Sequence, residues 1–237
     1  MLEVEPGRVL RVAEAFDAQP WGPPEVCLCT AASKLLDTAG VAVSLGASGE
    51  LGSALHTVCA TDGARAGEAR QFDLGEGPSY TAHRTGRPVQ VADLECDDSW
   101  PVFAKAATVL GFRAVFAFPL RSGSDSLGAL TLYQHVAGEL SSEQHADALA
   151  VAGFALNLLT SLQAGHPTDE LDPVFHDGMA RTEKVSQASG MVSVQLGISV
   201  VAALAVLRAH AFTEGCSLAA VATQVIEHRL TLSPLPD

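Results

Sequence analysis

The chain has 237 residues, of which 48% are hydrophobic and 17% are charged, and its formal net charge is −13. These proportions are typical of a folded globular protein and exclude a largely disordered chain. Such acidity also argues against a protein whose whole surface attracts nucleic acid, because affinity for phosphates normally comes from lysine and arginine.

The sequence has neither the pattern of a secretory signal nor that of a membrane span. Its first residues contain no basic region followed by an apolar stretch. The most apolar run, residues 146–162, is shorter than a bilayer span and is interrupted by polar residues. We therefore expect a cytoplasmic protein without a membrane segment.

The cysteines are five in number and have no Cys-x-x-Cys spacing. Neither a disulfide framework nor a zinc site is indicated, and no metal or other cofactor is expected. We expect reduced thiols that pack as small hydrophobic groups. They are Cys27, Cys29, Cys59, Cys96 and Cys216.

Helices and strands alternate in the first two thirds of the sequence. Residues 8–39 begin with an amphipathic segment and continue into a helix whose start is marked by the proline pair Pro23-Pro24. Apolar runs at 41–45 and 55–61, joined by glycines, predict a β-hairpin. A helix opened by Gly77-Pro78 and an edge strand over 88–94 follow. A helix over 100–107 and two central strands, 113–120 and 127–133, complete this part.

The next segment predicts a long apolar helix and then a linker. Ser141-Ser-Glu-Gln144 is typical of a helix start, and the helix to about residue 163 is apolar over more than one stripe. One face should cover the sheet and the other should be exposed, so we predict a homodimer through this helix and the N-terminal one. Residues 164–173, which contain two prolines and three acids, break the periodicity and predict a linker.

The C-terminal residues predict three short helices with glycines between them. Apolar residues recur every three or four positions up to Gly197, again up to Gly215, and again to about residue 226. Ser199 and Ser217 are placed to cap the second and third helices. The chain is therefore of the α+β class, with an antiparallel sheet flanked by helices followed by an all-α module.

Two sets of short strings carry resemblances to known families. The first set is Leu74-Gly-Glu-Gly-Pro78, Gly86-Arg-Pro-Val89, Phe118-Pro-Leu120 and Leu127-Gly-Ala-Leu-Thr-Leu-Tyr133. With these strings the chain resembles a GAF domain over residues 20–163, which implies a sensor and dimerisation domain. The second set is Gln187-Ala-Ser-Gly-Met-Val-Ser-Val-Gln-Leu196, Leu207-Arg-Ala-His-Ala211 and Ser217-Leu-Ala-Ala-Val-Ala222. With these strings the chain resembles an ANTAR domain over residues 174–232, an RNA-binding module of bacterial antitermination regulators.

The second resemblance implies a regulator that binds hairpins of nascent mRNA and prevents transcription termination. Residues 178–232 have a formal net charge of +1, so the rest of the chain has a net charge of −14. We expect the cations to be gathered on one side of the module, where they would contact phosphates while glutamines bond to unpaired bases. The candidate RNA-binding residues are Lys184, Gln187, Gln195, Arg208, His210 and Arg229.

Some positions depart from the ANTAR pattern. Ala202 and Ala220 replace the glutamate that often follows each helix cap, and Cys216 and His228 replace frequent arginines. The loss of these arginines weakens the attraction for phosphate. The alternative is a dimeric interaction scaffold whose C-terminal module no longer binds RNA and pairs with protein.

No arrangement of nucleophile, base or paired carboxylates predicts an enzyme. Ser79 stands where related thiol reductases often have a cysteine, so that activity would have to depend on Cys59 or Cys96. Aromatic residues in the sheet domain either pack in the core or line an apolar pocket for an unidentified small-molecule effector. These candidate ligand-binding residues are Tyr80, Trp100, Phe103, Phe116 and Phe118.

Overall fold

A computed structural model describes residues 5–19, 22–46, 55–123, 125–165 and 173–232 of the chain. Helices and strands alternate through the N-terminal part, and the C-terminal part is helical. The elements are α1 (Pro6–Asp17), α2 (Pro24–Leu36), β1 (Gly40–Gly46), β2 (Leu55–Ala60), α3 (Asp62–Leu74), α4 (Pro78–Thr85), β3 (Val89–Val91), α5 (Pro101–Val109), β4 (Ala114–Ser122), β5 (Asp125–Gln134), α6 (Ser142–Gly165), α7 (Pro173–Leu196), α8 (Val200–Thr213) and α9 (Leu218–Ile226).

Within the described ranges, the strands form one five-stranded antiparallel sheet in the order β2-β1-β5-β4-β3. The predicted hairpin, the edge strand after Pro88 and the central position of β5 are confirmed. Alternation of side chains along each strand then places one set of residues on each face of the sheet. Both faces are buried, because each is covered by helices.

Helices α1, α2 and α6 cover one face of the sheet, and helices α3, α4 and α5 cover the other. The first layer contains the larger core, in which Val43, Phe118 and Leu130 pack against Leu28 and Val151. Helix α3 is not among the predicted elements, since its glycines, alanines and charges leave only a weak apolar stripe. The omission matters because α3 supplies most of the groups described below.

Helix α6 begins as predicted, with Ser141 and Gln144 capping each other at 3.1 Å and 3.0 Å. Residues 142–162 have the length and hydropathy of a membrane-spanning helix, but Val151 and Ala155 of this helix are buried in the core against the sheet.

The exposed apolar face expected on α6 is narrower than predicted, because α1 packs against the same helix. Phe16 and Phe154 are in ring contact with centroids 5.4 Å apart. Arg8 and Arg11 both donate to the Asp147 carboxylate, at 2.5 Å and 2.6 Å. Helix α1 lies before the predicted domain start at residue 20, yet it forms part of this layer. The homodimer stays a prediction.

Helices α7, α8 and α9 pack around a core of their own, which we call the C-terminal unit (residues 173–232). Gly197 and Gly215 adopt positive φ, and the Ser199 and Ser217 side chains accept from the backbone N–H of Ala202 and Ala220, as expected for these caps. Helices α7 and α8 meet at a bend of 105°. The first helix is longer than predicted, since it has 24 residues. Of the predicted linker 164–173, residues 166–172 lie outside the described residues.

The prediction that all cysteines are reduced is wrong for one pair. Cys29 of α2 and Cys59 of β2 are joined by a disulfide in the core of the sheet domain. The pairing could not be predicted from the sequence, because the two residues lie 30 positions apart and only the packing of α2 on the sheet brings them together. Cys27, Cys96 and Cys216 are not part of a disulfide.

Candidate functional site

A buried polar network lies between α3 and the sheet. The Glu68 carboxylate accepts from Ser44 Oγ at 2.9 Å, Gln71 Nε2 at 3.0 Å, Ser79 Oγ at 3.1 Å and Tyr133 Oη at 2.8 Å. Ser79 is also 2.7 Å from Thr131 Oγ1. All six side chains are buried, so the face of the sheet beneath α3 is filled by polar side chains of this chain.

Burial raises the pKa of the Glu68 carboxyl, and the hydrogen bonds from Tyr133, Ser44, Ser79 and Thr131 act in the opposite direction. The donors lie on α3, α4, β1 and β5, so this single carboxylate is hydrogen-bonded to four elements. The sequence analysis did not predict this network. The signal available was the three-residue spacing of Glu68 and Gln71, which places both side chains on one face of a helix.

The structure separates the five aromatic residues that we considered either as core residues or as the lining of a pocket. Phe103 and Trp100 pack in the layer of α3 and α5, whereas Phe116 and Phe118 are buried on the other face with α2 and α6. These four cannot line a common pocket, since the sheet lies between them. Tyr80 is buried on α4, and its hydroxyl accepts from the backbone N–H of Leu55 at 3.4 Å. Burial raises the pKa of Tyr80 to about 12.

The C-terminal end of α3 joins the sheet domain to the C-terminal unit. Phe72 belongs to the core of the C-terminal unit, although it precedes that unit by a hundred residues. The Arg181 guanidinium lies 5.9 Å above the Phe72 ring. The Asp73 carboxylate accepts from the backbone N–H of Leu218, at the start of α9, at 3.1 Å. We call this contact region the junction.

Arg208 of α8 points into the junction. Its guanidinium lies against Gly75, where a Cβ atom would overlap it, and it interacts with the Tyr80 hydroxyl and the Asp73 carboxylate. Its Nε atom is buried without a hydrogen-bond partner. Burial lowers the pKa of this guanidinium, and Tyr80 and Asp73 counteract the effect. The arginine that we predicted to bind RNA is thus held by the sheet domain.

The other predicted RNA-binding residues differ in their exposure and in their partners within the chain. Lys184 and Gln187 are exposed on α7, but Gln195 donates to the Leu232 carbonyl at 2.8 Å. His210 is half-buried on α8, and Arg229 forms an ion pair with Glu227. Of the cations that we expected together on one side of the module, Arg208 and Arg229 thus have partners within the chain, whereas Lys184 is exposed.

Among the described residues, no group of three or more histidine, cysteine, aspartate or glutamate side chains is arranged to hold a metal ion. Cys59, one of the two thiols considered for a reductase, is in the buried disulfide. The other, Cys96, is exposed and lies 3.7 Å from the Asp93 carboxylate.

The N-terminal part is thus an α+β domain whose antiparallel sheet is covered by helices on both faces. Residues 28–156, more than half of the chain, match the family model described as GAF domain. The chain belongs to the GAF domain family. No curated protein matches the sequence.

Solved structures agree with this assignment at the level of the fold. The GAF domain of a phosphoenolpyruvate-protein phosphotransferase from Coxiella burnetii is 13% identical, with a TM-score of 0.51, over 67% of this chain and 94% of that one. The corresponding domain from Acinetobacter is 8% identical, with a TM-score of 0.50, over 69% of this chain and 98% of that one. At such low identity the likeness concerns the fold alone.

Proposed function

We propose that this chain is a transcription antitermination regulator in which the GAF domain controls an RNA-binding C-terminal unit. The unit would bind hairpins of nascent mRNA in the cytoplasm. The proposal is supported by the ANTAR-like strings of residues 187–222, by the capped helices that carry them, and by the exposed Lys184 and Gln187 on α7.

One observation carries the regulatory part of this proposal, namely that the Arg208 guanidinium is packed against Gly75 of the GAF domain. In this arrangement the Arg208 guanidinium lies in the junction against the GAF domain and not on a free surface of the C-terminal unit. RNA binding by this residue requires α8 to move away from α3, and a GAF effector would act by favouring one of the two arrangements. A ligand shifts such an equilibrium only by its difference in affinity for the two states.

Three contacts of the junction are made by polar or charged groups that water can solvate, namely the Arg208 interaction, the Asp73 to Leu218 hydrogen bond and the Arg181 to Phe72 contact. Opening would also expose Phe72, and fully burying such a side chain stabilises a fold by about 2 kcal/mol. Helix α7 packs against β2 as well, so a full separation of the two parts would break this contact too. An effector must therefore favour the open arrangement by more than the burial of Phe72 alone.

Electrostatics sets the expected strength of RNA binding. The C-terminal unit contains four lysine and arginine residues against three glutamates and Asp177, which gives it little attraction for phosphates. A homodimer would double the cations presented and raise the effective affinity for two linked hairpins. We propose this dimer as the active form, with the sheet domain as its site of association.

The test is binding of a two-hairpin RNA to the full chain across a series of salt concentrations. We expect the logarithm of the affinity to fall linearly with the logarithm of salt concentration, and Lys184→Gln to reduce the slope by about 1. Asp73→Ala should raise the affinity, because it weakens the junction. Asp62→Ala is the control, since Asp62 is an exposed carboxylate on the same helix and removes the same charge.

Arg208→Ala supplies the decisive comparison. We expect it to lower RNA affinity more strongly in the Asp73→Ala chain than in the unmodified chain, because Arg208 contributes only after release. Such a difference is a coupling between the two sites. Equal effects in both backgrounds would contradict control by the junction.

A second candidate function is an interaction scaffold whose C-terminal unit binds protein and has lost RNA binding. It is favoured by the engagement of Arg208 in the junction and of Arg229 with Glu227. No RNA binding at low salt, by the unmodified chain or by Asp73→Ala, would select this alternative.

A further inference from the structure

A groove lies beside the junction, between α5 and the end of α3 on one side and α8 on the other. Its volume is about 620 Å³, within the range of roughly 300 to 1,000 Å³ that small-molecule sites occupy. The sheet domain contributes Leu74 and Val109, and the C-terminal unit contributes Ala209 and Phe212. The groove therefore exists only while the two parts are together.

The walls of the groove carry large apolar side chains that are open to solvent. Val109 is 83% exposed, Phe212 is 65% exposed and Val102 is 40% exposed. These residues come from opposite walls and face one space. Exposed apolar side chains that converge in this way mark a binding surface more often than scattered ones do.

The charges at the groove are opposite in sign to the charge of the chain. Arg70, Lys105 and Arg208 line it, and Asp73 is the acidic side chain among the lining residues. Arg70 approaches Asp73 only at 3.9 Å and keeps a side chain that is 54% exposed. The Arg208 Nε atom has no hydrogen-bond partner. A net positive groove in a chain of charge −13 attracts an anion.

We propose that this groove binds a small organic anion with an apolar body, such as a medium-chain carboxylate. The apolar part would contact Val109, Phe212 and Leu74, and the carboxylate would be placed near Arg70 and Lys105. Because the walls belong to both parts of the chain, the bound molecule holds the junction closed. Binding itself is independent of any RNA activity, so the two proposals succeed or fail separately.

The test is isothermal titration of the full chain with decanoate and with its neutral amide, decanamide. We expect decanoate to bind about tenfold more tightly, since each exposed ion pair contributes modestly and two cations are available. Arg70→Gln and Lys105→Gln should each reduce this preference. Arg87→Gln, which removes an exposed cation elsewhere on the GAF domain, should leave it unchanged.

A second pair of variants locates the site. Ala209→Trp fills the groove from an exposed position on α8 and should abolish decanoate binding. Ala205→Trp introduces the same side chain one turn earlier on that helix, at an exposed position that does not line the groove, and should bind decanoate normally. Equal affinity for decanoate and decanamide, or unchanged binding in Ala209→Trp, would overturn the proposal. An absence of decanoate binding would also overturn the proposal. This holds even where a second copy of the chain covers the groove and prevents binding.

Discussion

The guanidinium group of Arg208 occupies the space that a side chain at position 75 would need, and the residue at that position is glycine. Gly75 also ends α3 in the left-handed conformation, with φ of 68°. Glycine is therefore favoured at this position for two separate reasons, the left-handed backbone conformation and the space that the Arg208 side chain occupies. Substitution of Gly75 tests the junction between the two parts of the chain directly.

Gly75→Ala should destabilise the chain by more than Gly86→Ala does. Both glycines cap a helix with positive φ, so each substitution introduces backbone strain of about 1 to 2 kcal/mol. A Cβ atom on Gly86 meets nothing closer than 3.8 Å, whereas one on Gly75 overlaps Arg208. The overlapping atoms are the end of the flexible Arg208 side chain, so we expect a modest additional cost at Gly75 of about 1 kcal/mol, measured by urea denaturation.

The excess cost should disappear when Arg208 is removed. In an Arg208→Ala background, Gly75→Ala and Gly86→Ala should lower the free energy of unfolding equally, because only the shared backbone strain is left. An excess that persists without Arg208 would show that this contact is not its source.

Glu68→Gln should change the pH dependence of stability. Burial raises the pKa of Glu68 above its value of about 4.3 in an unfolded chain, so its favourable contribution is complete below that pH. The contribution is lost as pH rises through the folded-state pKa. The free energy of unfolding of the unmodified chain, minus that of Glu68→Gln, should therefore fall as pH rises above about 4.3.

Urea denaturation between pH 4 and pH 8 measures this difference. Glu139→Gln, at an exposed position after β5, serves as the control and should show no comparable trend. If the free energy of unfolding of the unmodified chain, minus that of Glu68→Gln, rose with pH, the hydrogen-bond donors would stabilise the carboxylate more than burial destabilises it.

Loss of the Cys29 to Cys59 disulfide should lower stability by about 3 kcal/mol under oxidising conditions, because the bond closes a loop of 30 residues in the unfolded chain. Cys59→Ala is the variant and Cys96→Ser, at an exposed thiol, is the control. Alkylation in denaturant should modify three of the five cysteines before reduction and all five afterwards. Modification of five without reduction would show that the pair is reduced, the usual state in a cytoplasm.

Asp147→Asn should release α1 from α6, because Arg8 and Arg11 both donate to this carboxylate. We expect faster hydrogen exchange of the α1 amides, with little change in the strands. Glu143→Gln is the control, since Glu143 is exposed and lies 3.8 Å from Arg11. Similar exchange in both variants would indicate that Val12 and Phe16 alone hold α1 in place.

The sequence by itself determined the order of most elements, the edge position of β3, and the caps at Ser141, Ser199 and Ser217. These features depend on local periodicity and on the conformations open to glycine, proline and serine, which neighbouring residues reveal. Helix α3 was missed because its apolar stripe is weak, and its partners Tyr133 and Leu218 lie far along the chain.

Only the tertiary structure decided what the charged and sulfur-bearing groups do. A lysine or arginine has the same local pattern whether it faces solvent, as Lys184 does, or enters a junction, as Arg208 does. The difference arises from the packing of α8 against α3, which are more than a hundred residues apart. The Cys29 to Cys59 pair and the placement of Phe103 and Phe118 on opposite faces of the sheet depend on the same long-range packing.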